Sequence, residues 1–152
     1  MKNLVQKNFD THYSNISLQL LVDELVNDLL GNILLNKIVV ENEVSANLSL
    51  RADQNEVMLV INELLATVVA NARDTSINIT AEKFSDIVTL RVEDRNNFNG
   101  YALSFSLLSI GRKARCLGGD INIRGAQKRV ATVSFSFPDS PQVKEYSCRA
   151  LA

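Results

Sequence analysis

The chain has 152 residues, of which 46% are hydrophobic and 22% are charged, and its formal net charge is −1. This length favours one domain with a sizeable core, and the sequence contains neither internal repeats nor low-complexity runs, which excludes the solenoid and disordered classes. No apolar run is long enough to span a bilayer, and the amino terminus, MKNLVQKNFD, lacks the apolar core of a signal peptide.

The first half of the chain predicts two helices separated by two short strands. Apolar residues recur at three- and four-residue steps after Ser17, which can cap a helix that stops near Gly31. Asp53 caps the second helix, with Glu56 three residues later in the capping-box position. The predicted segments are a linker at 1–15, a helix at 17–30, strands at 38–44 and 48–52, and a helix at 54–71.

The second half predicts two alternating strands, a third helix and a closing hairpin. Gly118-Gly119 ends the helix, and Pro138 stops the last strand. The predicted segments are strands at 76–83 and 86–94, a helix at 102–117, strands at 121–125 and 130–138, and a loosely tied tail at 139–152. Three helices on one face of a mixed sheet make a two-layer α+β sandwich, with the folded domain at 16–138.

Charge is distributed unevenly along the chain. Residues 1–99 carry 8 Lys/Arg against 14 Asp/Glu, whereas residues 100–152 carry 8 against 3. No aromatic residues are interleaved with the basic ones, so solvated faces of a helix and a hairpin explain them better than a nucleic-acid surface. We therefore expect no nucleic-acid partner. The basic residues concerned are Arg112, Lys113, Arg115, Arg124, Lys128 and Arg129.

The two cysteines, Cys116 and Cys148, fit no metal-ligand spacing and need not pair. A reducing cytoplasm is the simplest setting for such a chain.

Two stretches carry a resemblance to a known family. CLGGDINIRGAQKRVATVSFSFP resembles a helix end, a Gly-Gly pair, a strand, a turn and a final strand that closes on Pro. RADQNEVMLVINELL resembles an acidic cap followed by a helix. With the order of elements from Asn15 to Pro138, they resemble the catalytic ATP-binding domain of bacterial sensor histidine kinases, the Bergerat fold. This resemblance implies a role in two-component signalling, with ATP and Mg²⁺ as ligands.

The helix that binds the metal ion in the family lacks the family's sequence motif in this chain. In the family, an Asn-x-x-x-Asn motif lines the triphosphate and its second Asn coordinates Mg²⁺. Those positions fall on Glu63 and Thr67, so the resemblance implies a carboxylate near the site and a hydroxyl as the metal ligand. The alternative is that both side chains face solvent.

Asp94 matches the family's Asp that accepts a hydrogen bond from the adenine amino group. The family's following glycines are replaced by Asn96 and Phe98. Asn tolerates left-handed backbone geometry, whereas Phe98 would bring a bulky ring into the cleft or fill the space that adenine occupies. The alternative for Asp94 is a capped strand end without a ligand.

The second glycine motif of the family lets phosphate meet backbone N–H groups at a helix start. Ser104 and Ser106 stand at the matching positions, which keeps the N–H donors but narrows the approach. Nine residues separate Asp94 from Ser104, too few for the family's flexible lid, and phosphoryl transfer needs an ordered, closed site.

These departures lead to a main hypothesis and two alternatives. We expect a pseudo-kinase module with weak or no ATP binding and no catalytic residue. It would contact a partner kinase's dimerisation/phosphoacceptor domain or a response regulator through the face around Arg112, Lys113 and Arg115. The first alternative is a working kinase domain that phosphorylates His or Ser on a separate chain or in a longer parent protein. The second, a phosphotransfer protein, needs a reactive His on a helical hairpin, and the only histidine is His12 in the linker.

Overall fold

The computed structural model describes residues 15–51 and 54–139. Strands and helices alternate along these residues. The strands are β1 (Asn15–Ser17), β2 (Ile38–Asn42), β3 (Ser49–Arg51), β4 (Thr75–Phe84), β5 (Ile87–Asp94), β6 (Asp120–Arg124) and β7 (Ala131–Pro138). The helices are α1 (Leu18–Asp28), α2 (Leu30–Leu35), α3 (Asn55–Ala70) and α4 (Gly100–Cys116).

Five strands form a mixed sheet in the order β2-β4-β5-β7-β6. β2 is parallel to β4, and the other neighbours are antiparallel. In β5 the buried residues Val88, Leu90 and Val92 alternate with half-exposed ones, as expected of a strand with one face in the core. β1 and β3 form a separate antiparallel pair. The predicted two-layer architecture with a mixed sheet is confirmed.

The core lies between the buried face of this sheet and the helices. α3 contributes apolar residues at helical spacing, among them Ile61, Leu64 and Val68. From β7, the rings of Phe135 and Phe137 pack with centroids 4.7 Å apart, and both are fully buried. This packing fixes α3 and α4 side by side beneath the sheet.

The prediction of a single first helix was wrong. Helix α1 ends at Asp28, and a second helix, α2, follows and includes Gly31, the predicted stop. Gly31 does not have the positive φ of a helix-ending glycine, and nothing lies within 4 Å of its Cβ position. The described residues therefore contain four helices rather than three. α4 begins at Gly100, two residues before its predicted start.

The predicted cap of the second long helix, Asp53, lies outside the described residues. The residue in the cap position of α3 is Gln54, whose side chain makes no capping hydrogen bond. Its Nε2 instead donates to Asp139 Oδ1 at 3.0 Å and to the Pro138 carbonyl at 3.3 Å. Gln54 thus ties the start of α3 to the end of β7.

Helix α4 ends just before the glycine pair Gly118-Gly119, as predicted. Gly118 has φ +79°, its N–H donates to the Arg115 carbonyl, and the N–H of Gly119 donates to the Ala114 carbonyl. These two bonds are the pattern of a Schellman motif, which satisfies carbonyls left open at a helix end. Cys116, the last residue of α4, is disulfide-bonded.

Candidate functional site

Asp94 is the last residue of β5 and is 2% exposed. Its Oδ1 accepts a 2.6 Å hydrogen bond from the Thr75 hydroxyl and a 3.1 Å hydrogen bond from the backbone N–H of Asn96. The second bond closes an Asx turn, in which an Asp side chain bonds the backbone two residues on. Internal partners thus account for the buried carboxylate.

The loop after Asp94 is hydrogen-bonded to the backbone at the start of β4. Arg95 donates its backbone N–H to the Ser76 carbonyl at 3.1 Å, and Asn96 Nδ2 donates to the Asp74 carbonyl at 3.1 Å. Neither Asn96 nor Phe98 has positive φ, so neither reproduces the backbone geometry of a glycine. The side chain of Phe98 is 58% exposed, which shows that its ring does not fill an enclosed pocket.

Glu63 and Thr67 lie on α3, and the structure shows a side-chain contact of Glu63 and a backbone contact of Thr67. Both carboxylate oxygens of Glu63 accept hydrogen bonds from Lys113 Nζ, at 3.0 and 2.9 Å, in a half-exposed pair that joins α3 to α4. The Thr67 carbonyl accepts a 2.8 Å hydrogen bond from Asn71 Nδ2 near the end of the helix. The Glu63 charge is therefore compensated by Lys113.

Ser104 and Ser106 are not at the start of a helix. Since α4 begins at Gly100, Ser104 is its fifth residue and Ser106 lies in its second turn. The first backbone hydrogen bond of α4 runs from the Leu103 N–H to the Asn99 carbonyl, so the N–H groups before it belong to Gly100, Tyr101 and Ala102. The N–H groups at the start of α4 thus belong to these three residues and not to the two serines.

Two residues missed in the sequence, Asn97 and Gly100, organise this end of α4. Asn97 Nδ2 donates to the carbonyls of Ala126 and Lys128, at 2.9 and 3.0 Å, and its backbone N–H donates to the Arg129 carbonyl at 2.7 Å. A Cβ at Gly100 would overlap the Ala126 carbonyl oxygen. No local pattern signals these contacts, because the partners lie 26 to 32 positions further along the chain.

The residues expected to bind nucleotide are six: Glu63, Thr67, Asp94, Asn96, Ser104 and Ser106. Among them, only Asp94 and Asn96 are joined by a hydrogen bond within residues 15–51 and 54–139. Those residues contain no cluster of three or more His, Cys, Asp or Glu side chains able to hold a metal ion. Of the two positions expected near the metal, Thr67 offers one hydroxyl oxygen, and Glu63 offers a carboxylate that is paired with Lys113.

A polar cavity of about 460 Å³ lies on the open face of the sheet, over β5, β7 and β6. None of the six expected nucleotide residues lines it. Its lining consists of Thr89, Arg91, Asp120, Asn122, Arg124, Thr132, Ser134 and Ser136.

A row of residues on the outer side of α4 forms a surface that we call the α4 seam: Tyr101, Phe105, Leu108, Arg112 and Arg115. Their spacing of four, three, four and three residues places them along one side of the helix. The three apolar side chains are between 61% and 77% exposed. Large side chains in a continuous exposed row are typical of a protein contact surface.

No helix among the described residues has the length and hydrophobicity needed to cross a membrane. The sequence matches no family model, and no curated protein matches it.

Solved structures share the fold. The histidine kinase AdeS from Acinetobacter baumannii superposes with a TM-score of 0.69 and 15% identity, over 84% of this chain and 68% of that chain. The catalytic domain of histidine kinase ThkA gives 0.68 and 19%, over 85% and 97%. ThkA solved in complex with the response regulator protein TrrA gives 0.61 and 18%, over 92% of this chain and 47% of that chain. The chain therefore has the fold of a histidine kinase catalytic domain.

Proposed function

We propose that this chain is a pseudo-kinase module of two-component signalling, an ATP-binding-type domain that binds nucleotide weakly or not at all. The observation that carries the proposal is the contact at the start of α4. There the Ala126 carbonyl lies against Gly100, at the helix end where a triphosphate would need free N–H groups. The pairing of Glu63 with Lys113 adds support, because it occupies the carboxylate that was expected near the site.

The α4 seam is the surface that we propose for the partner. Its apolar half, Tyr101, Phe105 and Leu108, would be buried in the contact, while Arg112 and Arg115 would face acidic groups. The partner would be a kinase dimerisation/phosphoacceptor domain or a response regulator. The ThkA complex supports a regulator as one of the two, because there a protein of this fold was solved with one.

Site-specific photo-crosslinking tests the partner. A photoreactive phenylalanine analogue at position 105 should crosslink a sensor kinase or a response regulator from the same organism, and the mass of the adduct identifies which. The same analogue at the exposed Phe84, the last residue of β4, is the control and should give no such adduct. Equal crosslinking from both positions would contradict the proposal that the partner binds specifically to the α4 seam.

An enzyme assay tests the rest of the proposal. Purified protein should give no transfer of labelled phosphate from ATP to itself, to a phosphoacceptor domain or to a response regulator. Robust transfer that depends on Asp94 would overturn the pseudo-kinase proposal.

The second candidate function is a working kinase domain that phosphorylates a His or Ser on a separate chain or in a longer parent protein. One observation favours it, since Asp94 is buried at the strand end where the adenine contact is expected. In that case Asp94, Asn96 and the N–H groups at the start of α4 would hold nucleotide.

We propose a cytoplasmic location from the fold. The disulfide at Cys116 is the observation against it, because disulfides are rare in reducing compartments. Alkylation of thiols in intact cells, followed by mass spectrometry of the Cys116 peptide, decides between a reducing and an oxidising location. A cytoplasmic protein should yield alkylated Cys116.

A further inference from the structure

The turn between β6 and β7, residues 125–130, lies against the beginning of α4. Asn97, three residues before the helix, directs all of its N–H donors at this turn: its backbone N–H at Arg129, and Nδ2 at Ala126 and Lys128. All three acceptors are backbone carbonyls, so the contact depends on the path of the turn rather than on its side chains. One residue therefore fixes the turn at three points.

The first turn of α4 completes the contact. Gly100 is buried, and only a residue without a Cβ leaves room for the Ala126 carbonyl oxygen. The next residue, Tyr101, accepts a 2.9 Å hydrogen bond at its hydroxyl from Gln127 Nε2. The turn thus contacts the helix start at Gly100 and Tyr101 as well as at Asn97.

This contact lies at a helix start, where backbone N–H groups without intrahelical partners are available to bind a ligand. The N–H groups of Gly100, Tyr101 and Ala102 precede the first intrahelical bond, and the Asn99 side chain makes no capping hydrogen bond. Such groups, at the positive end of the helix dipole, attract anions. The Ala126 carbonyl brings the negative end of a peptide dipole to the same place.

We propose that the β6–β7 turn is a strap that closes over the start of α4, that Asn97 is its latch, and that the closed strap excludes phosphate groups from this helix end. The inference rests on the proposed function in one respect, since the excluded phosphates would be those of a nucleotide. Asn97 Oδ1 is buried and accepts no hydrogen bond from the described residues, so the two Nδ2 bonds are the side-chain contacts that the latch provides.

Hydrogen exchange on the protein alone tests the latch. Asn97→Ala removes the two side-chain bonds, so the hydrogen-bonded amides on the two sides of the contact, those of Leu103 and Lys128, should exchange at least tenfold faster than in the wild type. Asn99→Ala is the matched control, because it shortens an asparagine of the same loop that makes no capping bond. Equal exchange in the two variants would overturn the proposal.

A pair of glycine variants tests the strap by another route. Gly100→Ala places a methyl group where the Ala126 carbonyl lies and should release residues 126–130 to fast exchange. Gly111→Ala adds the same group inside the same helix, where the nearest atom is Arg115 Nη1 at 3.5 Å, and should leave the turn protected. An unchanged turn in Gly100→Ala would contradict the close contact.

Binding of inorganic tripolyphosphate tests the exclusion. Amide resonances of residues 100–102 should shift with at least tenfold lower tripolyphosphate concentration in Asn97→Ala than in Asn99→Ala or the wild type. Identical titrations would overturn exclusion by the strap. None of these measurements uses ATP turnover or a partner protein, so a failure of the strap can be told apart from a failure of the pseudo-kinase proposal.

Discussion

Thr75 donates a 2.6 Å hydrogen bond from its hydroxyl to Asp94 Oδ1, which ties the first residue of β4 to the last residue of β5. The bond is buried, because Asp94 is 2% exposed and Thr75 is buried as well. Buried carboxylates are costly unless hydrogen bonds compensate them. Asp94 therefore has a structural role that exists whether or not a ligand reaches it.

The first prediction concerns this bond. Thr75→Val keeps the shape of the side chain and removes the donor, and should lower the free energy of unfolding by about 1–3 kcal/mol. Thr80→Val is the control on the same strand, since its half-exposed side chain makes no hydrogen bond within the described residues, and should stay within about 0.5 kcal/mol. Urea denaturation measures both. Equal effects would show that the Thr75–Asp94 bond contributes nothing specific.

The second prediction concerns Glu63. The carboxylate pairs with Lys113 at the surface, and exposed ion pairs contribute little to stability. Glu63→Gln should therefore change the free energy of unfolding by no more than about 0.5 kcal/mol. It should also leave calorimetric titrations with nucleotide and Mg²⁺ unchanged. A Mg²⁺-dependent signal that disappears in Glu63→Gln would assign the residue to a metal site instead.

The third prediction concerns the end of α4. Gly118 has φ +79°, a conformation that costs a residue with a Cβ about 1–2 kcal/mol. Gly118→Ala should lower the free energy of unfolding by that amount. Gly111→Ala, inside the helix where an added Cβ would meet only Arg115 Nη1 at 3.5 Å, should raise it by up to about 1 kcal/mol. Thermal denaturation should thus move the two variants in opposite directions, and a shift of both in the same direction would contradict the assignment.

The fourth prediction concerns Cys116. Its disulfide should make it inert to maleimide in the native, unreduced protein and reactive after dithiothreitol. Reduction should also lower the free energy of unfolding by about 2–4 kcal/mol, the usual effect of a structural disulfide. Peptide mass spectrometry and denaturation measure the two effects. Immediate labelling of Cys116 without reductant would show that the bond does not form in solution.

Much of the sheet could be predicted from the sequence, because each strand buries one face and alternates accordingly. The pairing of β4 with β5 and the glycine pair after α4 follow from local patterns of this kind. Helix α2 was missed because its six residues are too few to show a period and Gly31 indicated a stop. In short helices, packing outweighs such local signals.

The candidate site was harder to predict because its contacts join distant parts of the chain. Glu63 pairs with Lys113 fifty positions away, and Asn97 contacts a turn about thirty positions away. A resemblance aligns residue types but does not determine which of them meet. The helix start that was expected to meet phosphate near Ser104 lies at Gly100 in the structure, and no residue pattern near either position indicates this difference.

The measurement that tests the central claim most directly is calorimetric titration of the purified protein with ATP and ADP, with and without Mg²⁺, beside the Asp94→Asn variant. A pseudo-kinase module predicts no heat of binding at millimolar nucleotide in either protein. Micromolar binding that requires both Mg²⁺ and Asp94 would contradict the account and identify a working nucleotide site.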